Sequence, residues 1–420
     1  MTSRDARQEK SRVSWIKNKC KGTIEACTGY GKTRVALNCI KSLLNKYPEK
    51  KILIVVPTTV LKEQWDALLS ERGLVFNCEV QIINTVIRSE WNCDLLIIDE
   101  IHRTASEQFV QIFKCVHYSL ILGLTATIER LDGRHVLIKK YCPICDTITL
   151  LEAQLNGWIS KYTEYQVILD VDDIDIYKKY NKSFNESFDF FDYDFNKAMK
   201  MVGPDGYKWR LAMREQICPY GTEEQRKQVL KNITYHAMNF MRSIQQRKTF
   251  INNHPKKIEI ARRIIEARPN SKIITFSNNI KMAEAIGIGY VYTGKDSKKK
   301  GRITFNEFIN MSSGILNTSK KCDEGIDIPN LSVAIMLGID SSKIKATQRV
   351  GRVVRTDSNP NKRAEIFNLI INDTVELNWY KKAHPDGNYV TIDEEGLNDV
   401  LEGKVPKPYI KKLKDFQFRY

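Results

Sequence analysis

The most constraining feature of this chain lies near its start. A short strand, Thr23 to Ala26, runs into Ala26-Cys27-Thr28-Gly29-Tyr30-Gly31-Lys32-Thr33, and a helix follows from Arg34 to Leu44. Gly29 and Gly31 let the backbone wrap closely around an anion, and the helix N-terminus turns its unpaired N–H groups toward the same point. In that frame Thr28, Gly29, Tyr30 and Gly31 form a phosphate cradle. Lys32 reaches the outer phosphates of a nucleoside triphosphate, and Thr33 offers its hydroxyl to Mg2+. The arrangement calls for an α/β fold, with the loop at the carboxyl end of a parallel strand.

The rest of the first half fits that frame. Lys51 to Val56 (KILIVV) is an apolar run stopped by Pro57, the pattern of a strand buried on both faces. A helix is expected from Thr58 to Ser70 and strands at Glu79 to Ile83, Asp94 to Ile98 and Ser119 to Leu124. The strand Asp94 to Ile98 runs directly into Asp99-Glu100-Ile101-His102. Asp99 at a strand end can hold Mg2+ through water, and Glu100 can orient and deprotonate an attacking water. Two adjacent carboxylates there repel each other unless a cation is near.

The second half repeats the theme without a second Gly-Lys-Thr. Strands are expected at Lys272 to Ser277, Ser313 to Asn317 and Val333 to Leu337, with a helix at Ile280 to Gly287. Gln348-Arg349-Val350-Gly351-Arg352-Val353-Val354-Arg355 then sets three arginines at fixed spacing. Guanidinium groups stabilise charge on a transferring γ-phosphoryl, and supplying them from a facing domain makes hydrolysis depend on closure. The expected division is a nucleotide-binding domain over 1–160, a mostly helical insert over 161–255, a second α/β domain over 256–385 and a tail over 386–420. Within the insert, Phe184 to Phe195 interleaves aromatics with acids and is expected to pack on the second domain.

Charge and cysteine usage narrow the partners. The 66 Lys and Arg outnumber the 50 Asp and Glu, a net charge of +16 that favours nucleic acid over a membrane as partner. No apolar run approaches the ~20 residues that span a bilayer, and the polar N-terminus has no signal-peptide pattern. Ten scattered cysteines suit free thiols in a reducing, intracellular setting. Cys142 and Cys145 lack a second close-spaced pair, so ordinary thiols are expected there rather than a zinc site.

The motif order A-x-x-G-x-G-K-T, V-V-P-T, D-E-x-H and L-T-A-T resembles motifs I, Ia, II and III of superfamily 2 helicases, in which Ala at position 26 is usual. KIITFS resembles motif IV, Asp323 to Pro329 (DEGIDIP) motif V and Gln348 to Arg355 motif VI. The resemblance implies two tandem RecA-like domains with a helical insert, using ATP and Mg2+ held by Thr33 and Asp99. His102 completes motif II, Gln348 senses the γ-phosphate, and Arg352 and Arg355 are the arginine fingers. Gly325 and Asp327 contact the nucleotide, and Gln8 corresponds to an adenine-reading glutamine. Thr58, Thr59, Thr85 and Thr318 correspond to phosphate grips on one nucleic-acid strand. Thr127 to Gly133 (TIERLDG) resembles an extension found in DNA-directed members, such as the UvsW-type phage branch-migration helicases. That points to DNA, forked or branched, worked by a motor that can act as a monomer and can be phage- or virus-encoded. An RNA helicase, a duplex translocase subunit of a restriction or remodelling complex, and a catalytically dead scaffold stay open as alternatives.

Overall fold

The computed structural model describes residues 2–130, 133–295, 298–319, 328–339, 341–355, 362–385, 387–407 and 409. Helix α1 (Ser3–Lys17) opens with a capping box made by Thr2 and Asp5. It is followed by β1 (Lys21–Ala26), α2 (Lys32–Lys46), β2 (Ile52–Val56), α3 (Thr59–Glu71) and β3 (Cys78–Ile82). Strands β4 (Leu95–Asp99), β5 (Leu120–Thr125) and β6 (Ile144–Ile148) complete the first sheet. Its order is β3-β2-β4-β5-β1-β6, and every pairing is parallel. Strand β2 is buried along its whole length, as its unbroken apolar run requires of a sheet covered on both faces.

The second sheet draws strands from a longer stretch of chain than expected. Strand β7 (Lys161–Leu169) comes first. The helices α4 (Ile174–Asp189), α5 (Phe195–Val202), α6 (Gly206–Ile217), α7 (Glu223–Asn253) and α8 (Pro255–Glu266) follow. Then come β8 (Lys272–Ser277), β9 (Tyr290–Tyr292), β10 (Gly314–Ser319), β11 (Leu331–Met336), α9 (Lys343–Val353), β12 (Arg363–Ile371) and β13 (Val390–Ile392). The order is β9-β10-β8-β11-β12-β7-β13, again parallel throughout. The helical insert therefore starts after 169 rather than at 161, because β7 pairs along its full length with β12. Residues 390–392, expected to belong to a tail, form an edge strand on β7.

The aromatic segment also packs differently from expectation. Phe184, Phe188, Phe190 and Phe191 gather with Ala237 and Phe240 of α7 in a core of the insert's own. The 31-residue α7 is roughly 46 Å long, long enough to give four helices their own interior. His254 at its end is hydrogen-bonded to Asp173 at 2.9 Å, joining the insert's exit to its entry. A larger buried apolar cluster runs without a break from β1 and α2 through Tyr30, Trp158 and Ile159 to Val350, Val353 and Val354. The two sheets are thus packed together, with the carboxyl end of β1 facing α9.

Candidate active site

The phosphate loop is shaped by its glycines. Gly31 has φ of +100° and caps α2, a left-handed conformation that a side chain strains against, and a Cβ there would meet Gln8 Nε2 at 2.6 Å. Lys32 Nζ donates to the Ala26 carbonyl at 3.0 Å, which holds the lysine over the loop. Tyr30 contributes its backbone, and not its side chain, to the loop. The ring is fully buried, its hydroxyl is hydrogen-bonded to Ser11 at 3.1 Å, and only its backbone takes part in the loop. The Tyr30 carbonyl accepts from Gln8 Nε2 and Arg4 Nε, both at 2.9 Å, and Arg4 also donates to the Gly29 carbonyl.

The acidic pair sits at the end of β4. Glu100 has φ of +53°, a left-handed conformation that costs a non-glycine residue about 1–3 kcal/mol and sets the direction of its carboxylate. Asp99 Oδ1 accepts from the Glu100 N–H at 3.0 Å, and Oδ2 accepts from the Trp65 indole N–H at 3.0 Å. Burial and the neighbouring Glu100 charge push Asp99 above the usual carboxylate range. Burial opposes ionisation of Glu100 too, but the hydrogen bond from His102 and the charge of Lys32 outweigh it and hold Glu100 below that range. His102, nearly fully buried, lies behind the pair rather than in the cavity. Its Nδ1 is 3.3 Å from Glu100 Oε2 and hydrogen-bonded to Thr125 Oγ1 at 3.1 Å, and the Thr125 hydroxyl donates to the Thr127 carbonyl at 2.8 Å. His102 thereby ties the acidic strand end to the end of β5.

Helix α9 faces this wall from the second domain. A cavity of about 520 Å3 is lined by Arg4, Thr28, Gly29, Gly31, Lys32, Thr33, Asp99 and Glu100 on one side. Gln348, Arg352 and Arg355 line the other side, and Pro57, Leu61 and Gln64 complete it. That size is within the range of small-molecule sites. Gly351 is where α9 meets the loop, since a Cβ there would lie 2.1 Å from Thr28 Cβ. The Arg355 carbonyl accepts from Ser160 Oγ at 3.0 Å and Lys362 Nζ at 2.9 Å, and Ser160 N–H donates to the Val354 carbonyl at 2.8 Å. The segment joining the two sheets therefore fixes the backbone that carries Arg355. Arg349 turns the other way, donating to the Gly338 carbonyl at 3.1 Å and lying over the Phe276 ring.

The expected nucleic-acid residues divide. Thr58 caps α3, its Oγ accepting from the Leu61 N–H at 3.3 Å, while Thr59 and Thr85 are exposed. Thr318 is fully buried inside β10, with its hydroxyl donating to the Thr275 carbonyl at 2.9 Å. A strand cannot reach it there, so Thr318 is a sheet residue and not a grip. Gly325 and Asp327 lie outside the described residues. Cys142 is fully buried and Cys145 half-buried, and burial pushes their thiols up to about 11 and about 12. The nine cysteines among the described residues are free thiols, and no helix among these residues is long and apolar enough to cross a membrane.

Arg4, Trp65, Gln64 and Ser160 were missed from the sequence. Arg4 lies one turn before Gln8 on the same face of α1, and Trp65 lies seven residues after the Thr58 cap, so helical spacing was the available signal.

Comparison with known proteins agrees with this geometry. Residues 3–90 and 79–130 match the family of the type III restriction enzyme res subunit. Residues 218–385 match the ERCC3/RAD25/XPB C-terminal helicase family. The DNA 3'-5' translocase XPB2 of Sulfurisphaera tokodaii is 27% identical over 86% of this chain and 80% of its own length. Putative helicase 22 of a Sulfolobus islandicus filamentous virus is 25% identical over 92% of this chain and 66% of its own. The helicase domain of Pyrococcus furiosus Hef shares the fold with a TM-score of 0.52 at 18% identity, covering 91% of this chain and 99% of that one. Saccharomyces cerevisiae Dbp5 bound to RNA and ADP BeF3 does so with a TM-score of 0.57 at 12% identity, covering 94% and 91%. With a phosphate loop and acidic pair on one RecA-like sheet, paired arginines on the other, and family matches across both, the chain belongs to superfamily 2 of the helicases.

Proposed function

We propose that the chain is an ATP-dependent DNA translocase that separates or migrates strands, moving 3' to 5' as its archaeal relative's name states for that protein. The carrying observation is the single cavity that joins Lys32, Thr33, Asp99 and Glu100 of one domain to Gln348, Arg352 and Arg355 of the other.

The residues present suit MgATP. Glycine at positions 29 and 31 leaves the loop open to phosphate oxygens, and the Thr33 hydroxyl and Asp99 carboxylate are the hard oxygen donors that Mg2+ prefers. Gln8 Oε1 is buried with no hydrogen-bond partner, and an exocyclic amine of adenine would supply one. Bound Mg2+ would supply charge neutralisation between the outer phosphates. Lys32 and the loop N–H groups hold the phosphates, Glu100 takes the proton from the attacking water, and Arg352 and Arg355 stabilise the charge on the departing phosphoryl. Because the arginines come from the second domain, hydrolysis requires closure, and release of product lets the domains part.

DNA as the track rests on the TIERLDG resemblance and on the XPB-type and restriction-type family matches. The cap of α3 and the exposed Thr59 and Thr85 suit sequence-independent grip on backbone phosphates. Lys227, Lys231 and Arg242 on one face of α7, interleaved with Tyr235 and Met238, add a second positive surface. The test is ATP hydrolysis and strand separation on four-way, forked, blunt-duplex and single-stranded DNA and matched RNA at fixed salt. Strongest stimulation by forked or four-way DNA is expected. Binding should weaken with salt, log K falling by roughly 0.7 per phosphate contact on single strands for each tenfold rise. Stimulation by RNA alone would sink the DNA assignment, and equal stimulation by blunt duplex without strand separation would indicate a duplex translocase.

A further inference from the structure

Helix α3 touches two sites. Its capped N-terminus at Thr58 is the proposed strand grip, yet Leu61 and Gln64 from its next turn line the nucleotide cavity. Trp65 follows, seven residues beyond the cap and roughly 10 Å along the axis. Only 2% of Trp65 is exposed, and its indole N–H donates to Asp99 Oδ2 at 3.0 Å. The other oxygen, Oδ1, is held by the Glu100 backbone N–H. A carboxylate has about four lone-pair sites, so these two bonds fix its plane and leave positions for a cation or its waters.

A buried tryptophan needs some acceptor for its N–H, and a backbone carbonyl would satisfy it equally well. Trp15 does this in the same domain, donating to the Ile121 carbonyl at 2.9 Å. Trp65 instead uses a carboxylate oxygen in the acidic pair. Without that donor, Oδ2 loses the contact that stops the carboxylate turning about its Cβ–Cγ bond. Oδ1 stays bonded to its neighbouring backbone, a restraint that allows rotation.

We propose that Trp65 is a positioning residue that aims the Asp99 carboxylate at Mg2+, so that movement of the strand-gripping helix α3 is transmitted directly to the metal position. The inference rests on the ATP-motor reading given above. It makes α3 a mechanical link: a shift at its N-terminus moves a donor on which one oxygen of the metal carboxylate depends.

The test uses the full chain and a fluorescent non-hydrolysable ATP analogue, titrated with Mg2+ and separately in EDTA. Trp65→Phe keeps an aromatic ring and removes the N–H. The Mg2+ concentration at half-maximal analogue binding should rise about tenfold, the scale of a lost hydrogen bond to a charged group, while affinity in EDTA stays unchanged. Leu69→Ala, buried on the same helix one turn beyond Trp65 and with no polar group to offer Asp99, should lower the melting temperature and leave the Mg2+ midpoint in place. An unmoved midpoint in Trp65→Phe, or an equal shift in Leu69→Ala, overturns the assignment. If Trp65→Phe does not fold, β-(3-benzothienyl)alanine at position 65 carries the same comparison, because it keeps the ring shape without the N–H. Absence of Mg2+-dependent analogue binding in the unaltered chain would sink the motor reading and this assignment together. Intact binding with an unmoved midpoint sinks this assignment alone.

Discussion

Replacing Gly351 by Ala tests whether closure sets the rate. The residue sits in α9 between Gln348 and Arg352, with the phosphate loop directly against it. A methyl group at position 351 would lie 2.1 Å from Thr28 Cβ, 2.5 Å from Oγ1 and 2.8 Å from Cγ2, whereas ordinary contact begins near 3.4 Å. Rotating Thr28 brings no relief, because the closest atom is its Cβ, which is fixed to the backbone. The helix must therefore back away from the loop by more than 1 Å, taking Arg352 and Arg355 with it. Misplacement of a reacting group by about 1 Å can cost ~10²-fold. The expected result is a kcat for nucleic-acid-stimulated ATP hydrolysis down by about two orders of magnitude. Nucleotide affinity should change little, because Lys32 and the loop N–H groups belong to the other domain. The melting temperature should change little as well, since the methyl lies at the junction between domains and not inside either sheet. Steady-state hydrolysis with saturating DNA, beside equilibrium binding of a fluorescent nucleotide, measures both quantities. Turnover equal to that of the unaltered chain would refute the argument that α9 must approach this closely for catalysis.

The other predictions concern the groups themselves. Lys32→Ala should lose nucleotide binding and hydrolysis together, while Glu100→Gln should lose hydrolysis and keep the nucleotide; near-normal turnover in Glu100→Gln would refute its role as the base. Arg352→Ala and Arg355→Ala should each lower kcat by ~10³ or more with a much smaller effect on nucleotide affinity, read from the same two assays. Lys257 and Glu376 form a fully buried ion pair at 2.6 Å, with Lys257 also donating to the Leu337 carbonyl at 3.0 Å. Glu376→Ala should destabilise the second domain by about 3–5 kcal/mol in denaturant unfolding, because the ammonium is left buried without its counter-charge. A change below 1 kcal/mol would show that water or another group replaces the carboxylate.

Much of the proposed nucleotide site was legible because its chemistry is written in contiguous residues. A phosphate cradle needs successive N–H groups and two glycines, so Thr28 to Thr33 carry it within six positions. The acidic pair follows an apolar strand directly, and Gln348 and Arg352 lie on one helix with Arg355 two residues past its end. Unbroken apolar runs located β2 and β4, since strands covered on both faces have no polar side to show.

Orientation and long-range pairing were decided only in the folded chain. Thr318 looked like Thr58 as a hydroxyl beside a motif, but its pairing with Phe276 across β8 and β10 turns that hydroxyl onto the Thr275 carbonyl and seals it in the sheet. Tyr30 lies between two cradle glycines, yet its ring points to Ser11 and Trp158 and fills the core. Strand β7 belongs to the second domain through its nine-residue register with β12, some two hundred positions further along the chain. The Trp65 bond to Asp99 and the meeting of Gly351 with Thr28 depend in the same way on which elements are brought face to face. The sequence by itself determined which groups can bind phosphate, hold a cation or carry charge, because those properties belong to side chains and to short backbone turns. Which groups face the cleft was decided by the tertiary structure, because a side chain's direction depends on strand register and domain packing across residues far apart in the chain.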